Sequence, residues 1–189
     1  LYGMDELYDR IDTIYVENDK FSYTTSVDTI TSAYLLLKNR IEYPVFLDKG
    51  NKIKIKGDTI NLNFLTISGN IYNEEFTDFQ KALEDPADPS EKAGEETVDK
   101  RITVEKANTA EEMAEEFILQ HHSSYVSLYL LDKYFVQKET PDFSKIKKLV
   151  EVMTGVLQDK PYIERLNETI TQAEKSEIGK YAPFFSLPN

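Results

Sequence analysis

The chain contains no cysteine among its 189 residues. This absence excludes disulfides, thiol nucleophiles and cysteine-ligated zinc or iron–sulfur sites within the chain. The two histidines are adjacent, at His121 and His122. Neighbouring residues on a helix point about 100° apart, and a zinc site draws on three or four ligands. The pair is therefore predicted to be polar residues at a helix end, and not metal ligands.

Tryptophan is also absent, and the seven glycines are scattered. No glycine-rich loop that would cradle a phosphate occurs, and no Gly-x-Ser-x-Gly elbow for a serine nucleophile. Four glutamates resemble a carboxylate cluster, but their spacing places them on the solvent face of an amphipathic helix: Glu111, Glu112, Glu115 and Glu116. The sequence thus predicts no catalytic, cofactor-binding or metal-binding residue, and no cofactor.

Long apolar runs and basic charge are scarce as well. No run approaches the ~18–20 residues of a membrane span. The chain has 22 basic against 34 acidic residues, a formal net charge of −12. A phosphate backbone would be repelled, which argues against nucleic acid as a partner. Hydrophobic residues make up 40% of the chain, which is enough for a packed core.

The first third of the chain has the pattern of an antiparallel β-domain, residues 1–69. A hairpin is predicted from residues 10–16 and 21–25 around a turn at 17–20. Residues 52–56 alternate lysine with isoleucine, which predicts a strand with its lysines in water. Pro44 suits an edge strand or the start of a strand. Further strands are expected at 32–38, 42–48 and 62–67, which together favour a sandwich or a barrel-like sheet.

The remainder is predicted to be helical, so the fold class is α+β. Residues 70–104 form a linker with one helix, capped by Asn73, and an acidic loop at 84–100 that lacks the spacing of a calcium loop. Residues 105–177 form a helical domain of about four helices. Their predicted starts are Thr109 with Glu112 as a capping box, Ser123 with Ser124, Thr140 with Pro141, and Asp159 with Pro161.

Residues 178–189 resemble the opening segment of thioredoxin-like domains of the AhpC/TSA and TlpA/ResA type. That segment commonly reads Ile-Gly-x-x-Ala-Pro-Asp-Phe-x-Leu-x-Asp. The matching residues are Ile178, Gly179, Ala182, Pro183, Phe185 and Leu187, whereas Phe184 and Asn189 stand where aspartate is usual. The resemblance implies that the catalytic Cys-x-x-Cys lies further on, in a domain that follows.

The preceding residues resemble the accessory region of the same Bacteroidota proteins, a β-domain of unassigned function followed by helices. The β-domain resemblance rests on residues 12–14, 19–23, 44–50, 53 with 55, and 67–73; Lys20 and Asp48 depart from the usual Gly and Glu. The helical resemblance rests on residues 117–131, with His121 and His122 where an Asn-Pro break is usual.

The resemblance implies a non-catalytic module of a thiol–disulfide oxidoreductase in the cell envelope or periplasm. Its implied partners are its own thioredoxin-like domain, protein substrates or a second copy. A stand-alone surface protein that binds a glycan or a peptide remains the alternative, because the chain has twelve tyrosines suited to stacking.

Overall fold

The computed structural model describes residues 2–3, 12–38, 40–57, 64–84, 100–158 and 160–176. The chain divides into two compact units, Leu1–Ala107 and Asn108–Asn189, and the boundary falls within a helix. Strands occupy the first unit and helices dominate the second, which confirms the α+β class. No helix in the described ranges is long and apolar enough to cross a membrane.

Five strands form two antiparallel sheets in the first unit. Strands β1 (Tyr2–Gly3), β2 (Thr31–Leu36) and β3 (Glu42–Leu47) pair in that order. Strands β4 (Lys54–Gly57) and β5 (Leu65–Ser68) form the second sheet. Strand β3 is the last strand of its sheet, as Pro44 predicted. The described strands establish these two sheets, and the sandwich or barrel stays a prediction.

The predicted hairpin around residues 17–20 is correct at its turn and wrong in its strands. Glu17 and Lys20 exchange two main-chain hydrogen bonds of 2.9 and 3.1 Å. Asn18 and Asp19 between them have positive φ, as a type I′ turn requires. Residues 12–16 and 21–30 form no strand. Aromatic and β-branched residues favour strands when one face is buried, but Tyr15 is 78% exposed and Val16 is 65% exposed.

Helix α1 (Ile71–Glu84) joins the two sheets through side chains that bond to strand main chains. The amide of Asn73, which is fully buried, accepts from Phe46 N at 3.0 Å and donates to Phe46 O at 2.8 Å. One turn later the Thr77 hydroxyl accepts from Ile67 N at 3.0 Å and donates to Ile67 O at 2.9 Å. The helix therefore supplies β3 and β5 with the hydrogen bonds that a neighbouring strand would otherwise give.

The start of α1 differs from the prediction, which placed Asn73 as the cap. Asn70 takes that role, because its side-chain oxygen accepts from Asn73 N at 3.0 Å. Gly69 precedes it with φ of +114°, where an added Cβ would overlap the carbonyl oxygen of Lys52. Only glycine fits at position 69, because any side chain there would collide with the main chain of Lys52.

The core of the first unit lies where α1 meets the sheets. Phe46 and Phe76 pack edge to face with their ring centroids 6.4 Å apart. The hydroxyl of Tyr43, on β3, accepts from Leu65 N on β5 at 2.9 Å. The other buried apolar side chains are Ala33, Val45, Leu65, Ile67 and Phe79.

The second unit contains the helices that the periodicity predicted. They are α2 (Lys100–Gln120, which begins before the unit boundary), α3 (Tyr125–Leu131), α4 (Phe143–Val152) and α5 (Pro161–Ser176). Every residue of α3 is buried, as expected of a central helix. A π-helix, Asp132–Val136, continues α3. The core between these elements includes Ile118, Leu130, Ile146, Met153 and Leu166.

Two helix starts are confirmed and two are wrong. Ser124 caps α3 through a bond from Val126 N, and Pro161 is the first residue of α5. Thr109 lies inside α2, because the strong helix formers before it extend that helix back to Lys100. Asp142 replaces Thr140 as the cap of α4, and its carboxylate accepts from Lys145 N at 3.0 Å. Most of the acidic loop and residues 178–189 lie outside the described residues.

The bond between Thr77 and β5 is open to a direct test. The substitution Thr77→Val keeps the side-chain shape but leaves Ile67 N–H and C=O without partners in the core. We expect it to lower the free energy of unfolding by about 1–3 kcal/mol, measured by urea denaturation.

The matched control is Thr66→Val on β5, beside Ile67. The Thr66 hydroxyl makes no hydrogen bond with any residue that the structure describes. Its loss should change the unfolding free energy by less than about 0.5 kcal/mol. Equal effects at positions 66 and 77 would show that the Thr77 hydroxyl does not hold the sheet.

Candidate functional site

A groove of about 670 Å³ in the first unit is the candidate functional site. Two extended segments form its walls, because every residue from 19 to 25 and from 51 to 56 lines it. No main-chain hydrogen bond joins these two walls in the described part of the chain. The groove is therefore a gap between two backbones.

The floor of the groove is apolar. It is formed by Val27 and by side chains of β2 and β3, namely Leu35, Val45 and Leu47. Ile55 on β4 and Ile53, which directly precedes that strand, add further apolar surface. Phe21 stands on the opposite wall and is 41% exposed. A ligand that enters the groove would bury this apolar surface, which is favourable.

The charged groups of the groove are four lysines and two aspartates, Asp19 and Asp48. Lys20, Lys52, Lys54 and Lys56 line it, and none of them forms an ion pair with a described residue. Asp48 also lines it, but its carboxylate accepts from Lys49 N at 2.8 Å within the turn before β4. The groove is thus a basic site on a chain whose formal net charge is −12.

Two hydroxyls mark the wall formed by residues 19–25. The Tyr23 hydroxyl donates to the carboxylate of Asp12, which links this wall to the segment that precedes the turn at residues 17–20. The hydroxyl oxygen of Thr25 is buried and has no hydrogen-bond partner among the described residues. A buried polar group without a partner costs free energy.

The histidine pair lies at the end of α2, as the sequence predicted. The ring of His121 stacks on Phe117 with a centroid distance of 4.1 Å. The carbonyls of the pair accept from Ser127 Oγ at 2.7 Å and from Thr154 N at 3.0 Å. The described residues contain no group of three histidine or carboxylate side chains able to hold a metal ion.

Two of the four clustered glutamates of α2, Glu111 and Glu115, form ion pairs with lysines of the second unit. Glu111 pairs with Lys138 and, at 3.4 Å, with Lys145. Glu115 pairs with Lys145 at 2.8 Å. Burial by itself raises the pKa of Glu111, but the two lysines outweigh it and hold the pKa below its usual value. The hydrogen bond that Lys145 donates to the Glu115 carboxylate raises the pKa of Lys145. These contacts give the cluster a structural role.

The π-helix after α3 was not predicted, although π-helices are frequent at functional sites. The carboxylate of Asp132 accepts from Tyr162 OH and from Gln137 Nε2, both at 2.6 Å. Lys133 lies over the rings of Tyr129 and Tyr134, at 5.6 and 5.5 Å. Burial lowers the pKa of Lys133 because it disfavours the charged form.

Residues 1–76 match the model of a protein family described as Domain of unknown function (DUF4369). The match covers the five strands, the whole groove and the first turn of α1, including Asn73. No curated protein and no solved structure matches the chain. The groove and the Asn73 contact with β3 therefore belong to the part of the chain that is similar to this family.

The ion pairs of Glu111 should make the second unit less stable in acid. Because folding lowers the pKa of Glu111, its contribution is complete above the unfolded glutamate pKa of ~4.3 and is lost as the pH falls through the folded value. We expect Glu111→Gln to lower the free energy of unfolding by about 0.5–1 kcal/mol at neutral pH, and by less as the pH falls below that range.

Urea denaturation at a series of pH values measures this difference. Glu112→Gln is the control, because Glu112 is exposed on the same helix and forms no ion pair with a described residue. A loss of stability that does not depend on pH, or one that the Glu112 variant shares, would contradict the assignment to the lysine contacts.

Proposed function

We propose that this chain is a non-catalytic accessory region of a cell-envelope, thioredoxin-like thiol–disulfide oxidoreductase. In this role it positions the redox domain or recognises the partners of that domain. The observation that carries the proposal is the likeness of residues 178–189 to the opening of thioredoxin-like domains. The order of a β-rich unit followed by helices agrees with the accessory region of those proteins.

The chemistry of the chain supports a role outside the redox step. Thiol–disulfide exchange begins with attack by a thiolate on a disulfide sulfur, and the chain has no cysteine. Under this proposal, the thiols belong to the domain that follows, and the present chain contributes shape and binding surface. The envelope or periplasmic location is part of the same proposal and rests on the resemblance.

The residues that carry the resemblance have structural roles where the structure describes them. Gly69 makes a turn against Lys52 that no other residue fits, and Asn73 bonds the main chain of β3. A family pattern composed of such residues specifies a scaffold and not an active site. This is the pattern expected of a module that holds another domain in place.

A second candidate is a stand-alone surface protein that binds a glycan or a peptide. The groove favours it, because ligand sites are concave and largely apolar with a few polar groups. Phe21 lines the groove and is 41% exposed, as a stacking or contact residue would be. Both candidates use the first unit as a binding surface, and they differ in whether a redox domain follows.

The reading frame that encodes the chain distinguishes the two candidates. We expect about a hundred residues to follow residue 189, with a Cys-x-x-Cys motif after a strand. The protein encoded by the whole frame should then reduce insulin disulfides, and its Cys→Ser variant at the first cysteine should not. A frame without that motif would refute the redox proposal and favour the stand-alone binding protein.

A further inference from the structure

Strand β4 pairs with β5 along one main-chain edge, and along its other edge it pairs with no strand in the described part of the chain. Leu65 N donates to Tyr43, and both main-chain groups of Ile67 bond to Thr77. The main-chain groups of Leu65 and Ile67 therefore point away from β4. In an antiparallel ladder the paired residues alternate, so the bonds between β4 and β5 are made by Lys54 with Ser68 and by Lys56 with Thr66.

It follows that Ile55 directs its N–H and C=O to the opposite edge of β4. Neither Ile53 nor Ile55 makes a main-chain hydrogen bond outside the ladder to any residue that the structure describes. Residues 51–56 form one wall of the groove. The unpaired edge of β4 therefore belongs to the groove and can bond to a chain that enters it.

The outer edges of β3 and β5 differ from that of β4, because side chains or a proline occupy their main-chain positions. The outer edge of β3 carries Pro44, which has no N–H, and Phe46, which is bonded by Asn73. The outer edge of β5 is bonded by Thr77 and Tyr43. Proteins usually protect strand edges in such ways because an open edge is a template for pairing with another chain.

The side chains of β4 indicate what kind of chain would pair with it. Ile53 and Ile55 lie on the half-buried side, and Lys52, Lys54 and Lys56 lie on the exposed side. An added strand continues this alternation, since cross-strand neighbours share a face. It would place apolar side chains beside the isoleucines and the groove floor, and acidic side chains beside the lysines.

We propose that the free edge of β4 binds an extended, acidic peptide segment of a partner protein by strand addition. The segment alternates acidic and apolar residues. It spans about six residues, because it runs along the wall formed by residues 51–56 with the same rise of ~3.3 Å per residue. Its main chain bonds to Ile55, its apolar side chains cover the floor of Leu35, Val45 and Leu47, and its carboxylates pair with the lysines. The binding site is the same whether or not a redox domain follows the chain.

Two observations favour a peptide over the other possible occupants. A saccharide has no repeating N–H and C=O groups to match an open strand edge, whereas a peptide main chain does. A second copy of this chain would bring a net charge of −12 without a known acidic strand among its described residues. Four groove lysines, which form no ion pair with a described residue, outnumber the two groove aspartates and supply the charge complementarity for an acidic segment.

The probe is a fluorescent, end-blocked hexapeptide of alternating glutamate and valine, and its binding to the chain is measured by anisotropy. We expect saturable binding that weakens as the ionic strength rises. The double substitution Lys54→Glu with Lys56→Glu should weaken binding by about tenfold or more. The matched control is Lys38→Glu with Lys81→Glu, which makes the same change in net charge in the same unit away from the groove.

Strand addition has a signature that charge attraction alone lacks. In amide hydrogen exchange, bound peptide should protect Ile55, while Lys56, already bonded to Thr66, should change little. The substitution Ile55→Pro removes the free-edge N–H but no bond of the β4–β5 ladder, and it should abolish binding. If that variant does not fold, the central amides of the probe can be N-methylated instead. This change removes the N–H donors of the peptide, and we expect it to abolish binding to the unaltered protein.

Several outcomes would overturn the proposal. The first is that a probe with lysine in place of glutamate binds as tightly as the acidic probe. The second is that the Lys54, Lys56 variant and the Lys38, Lys81 control lose the same amount of affinity. Unchanged protection of Ile55, or full binding of the N-methylated probe, would refute strand addition. Displacement of the probe by a neutral oligosaccharide would make the groove a glycan site. Concentration-dependent dimerisation that the Lys54, Lys56 variant abolishes would identify a second copy as the occupant.

Discussion

Two side chains of one helix hold the first unit together by completing the hydrogen bonds of two strands. Asn73 and Thr77, one turn apart on α1, each bond both the N–H and the C=O of a strand residue, Phe46 on β3 and Ile67 on β5. Unpaired main-chain groups in a core are costly. The position of the helix, the separation of the sheets and the closure of two strand edges therefore depend on the same contacts.

This constraint determines which strand edge remains open. Because Thr77 and Tyr43 occupy the alternate residues of β5, the ladder with β4 uses the others, and Ile55 on β4 directs its main chain toward the groove. The basic, apolar groove is a consequence of how α1 is fixed. A change at Thr77 would thus affect both the stability of the unit and the register on which the binding surface depends.

The same contacts bear on the functional proposals. Gly69 and Asn73, which carry part of the resemblance to accessory regions of redox proteins, are explained by packing and hydrogen bonding. The groove residues provide a binding surface without a nucleophile, a paired base or a metal cluster among the described residues. The first unit accordingly combines a hydrogen-bonded scaffold with an apolar groove that carries four lysines.

The sequence by itself determined the α+β class, the five helices to within a few residues in most cases, the turn at residues 17–20 and the alternation of β4. These features depend on local periodicity and on turn and cap chemistry, which are visible within a short window. It misplaced the starts of α1 and α4 because several nearby residues were suitable as caps, and that of α2 because the helix extends back beyond Thr109 to Lys100.

Only the tertiary structure decided that residues 12–16 form no strand, that Asn73 bonds β3, and that the outer edge of β4 is open. None of these is encoded in the pattern of one segment. A strand with the same alternation serves equally in the middle or at the edge of a sheet, and its place depends on partners distant in sequence. For that reason the groove could not be predicted from the sequence, although the alternation of lysine and isoleucine over residues 52–56 was recognised as a strand.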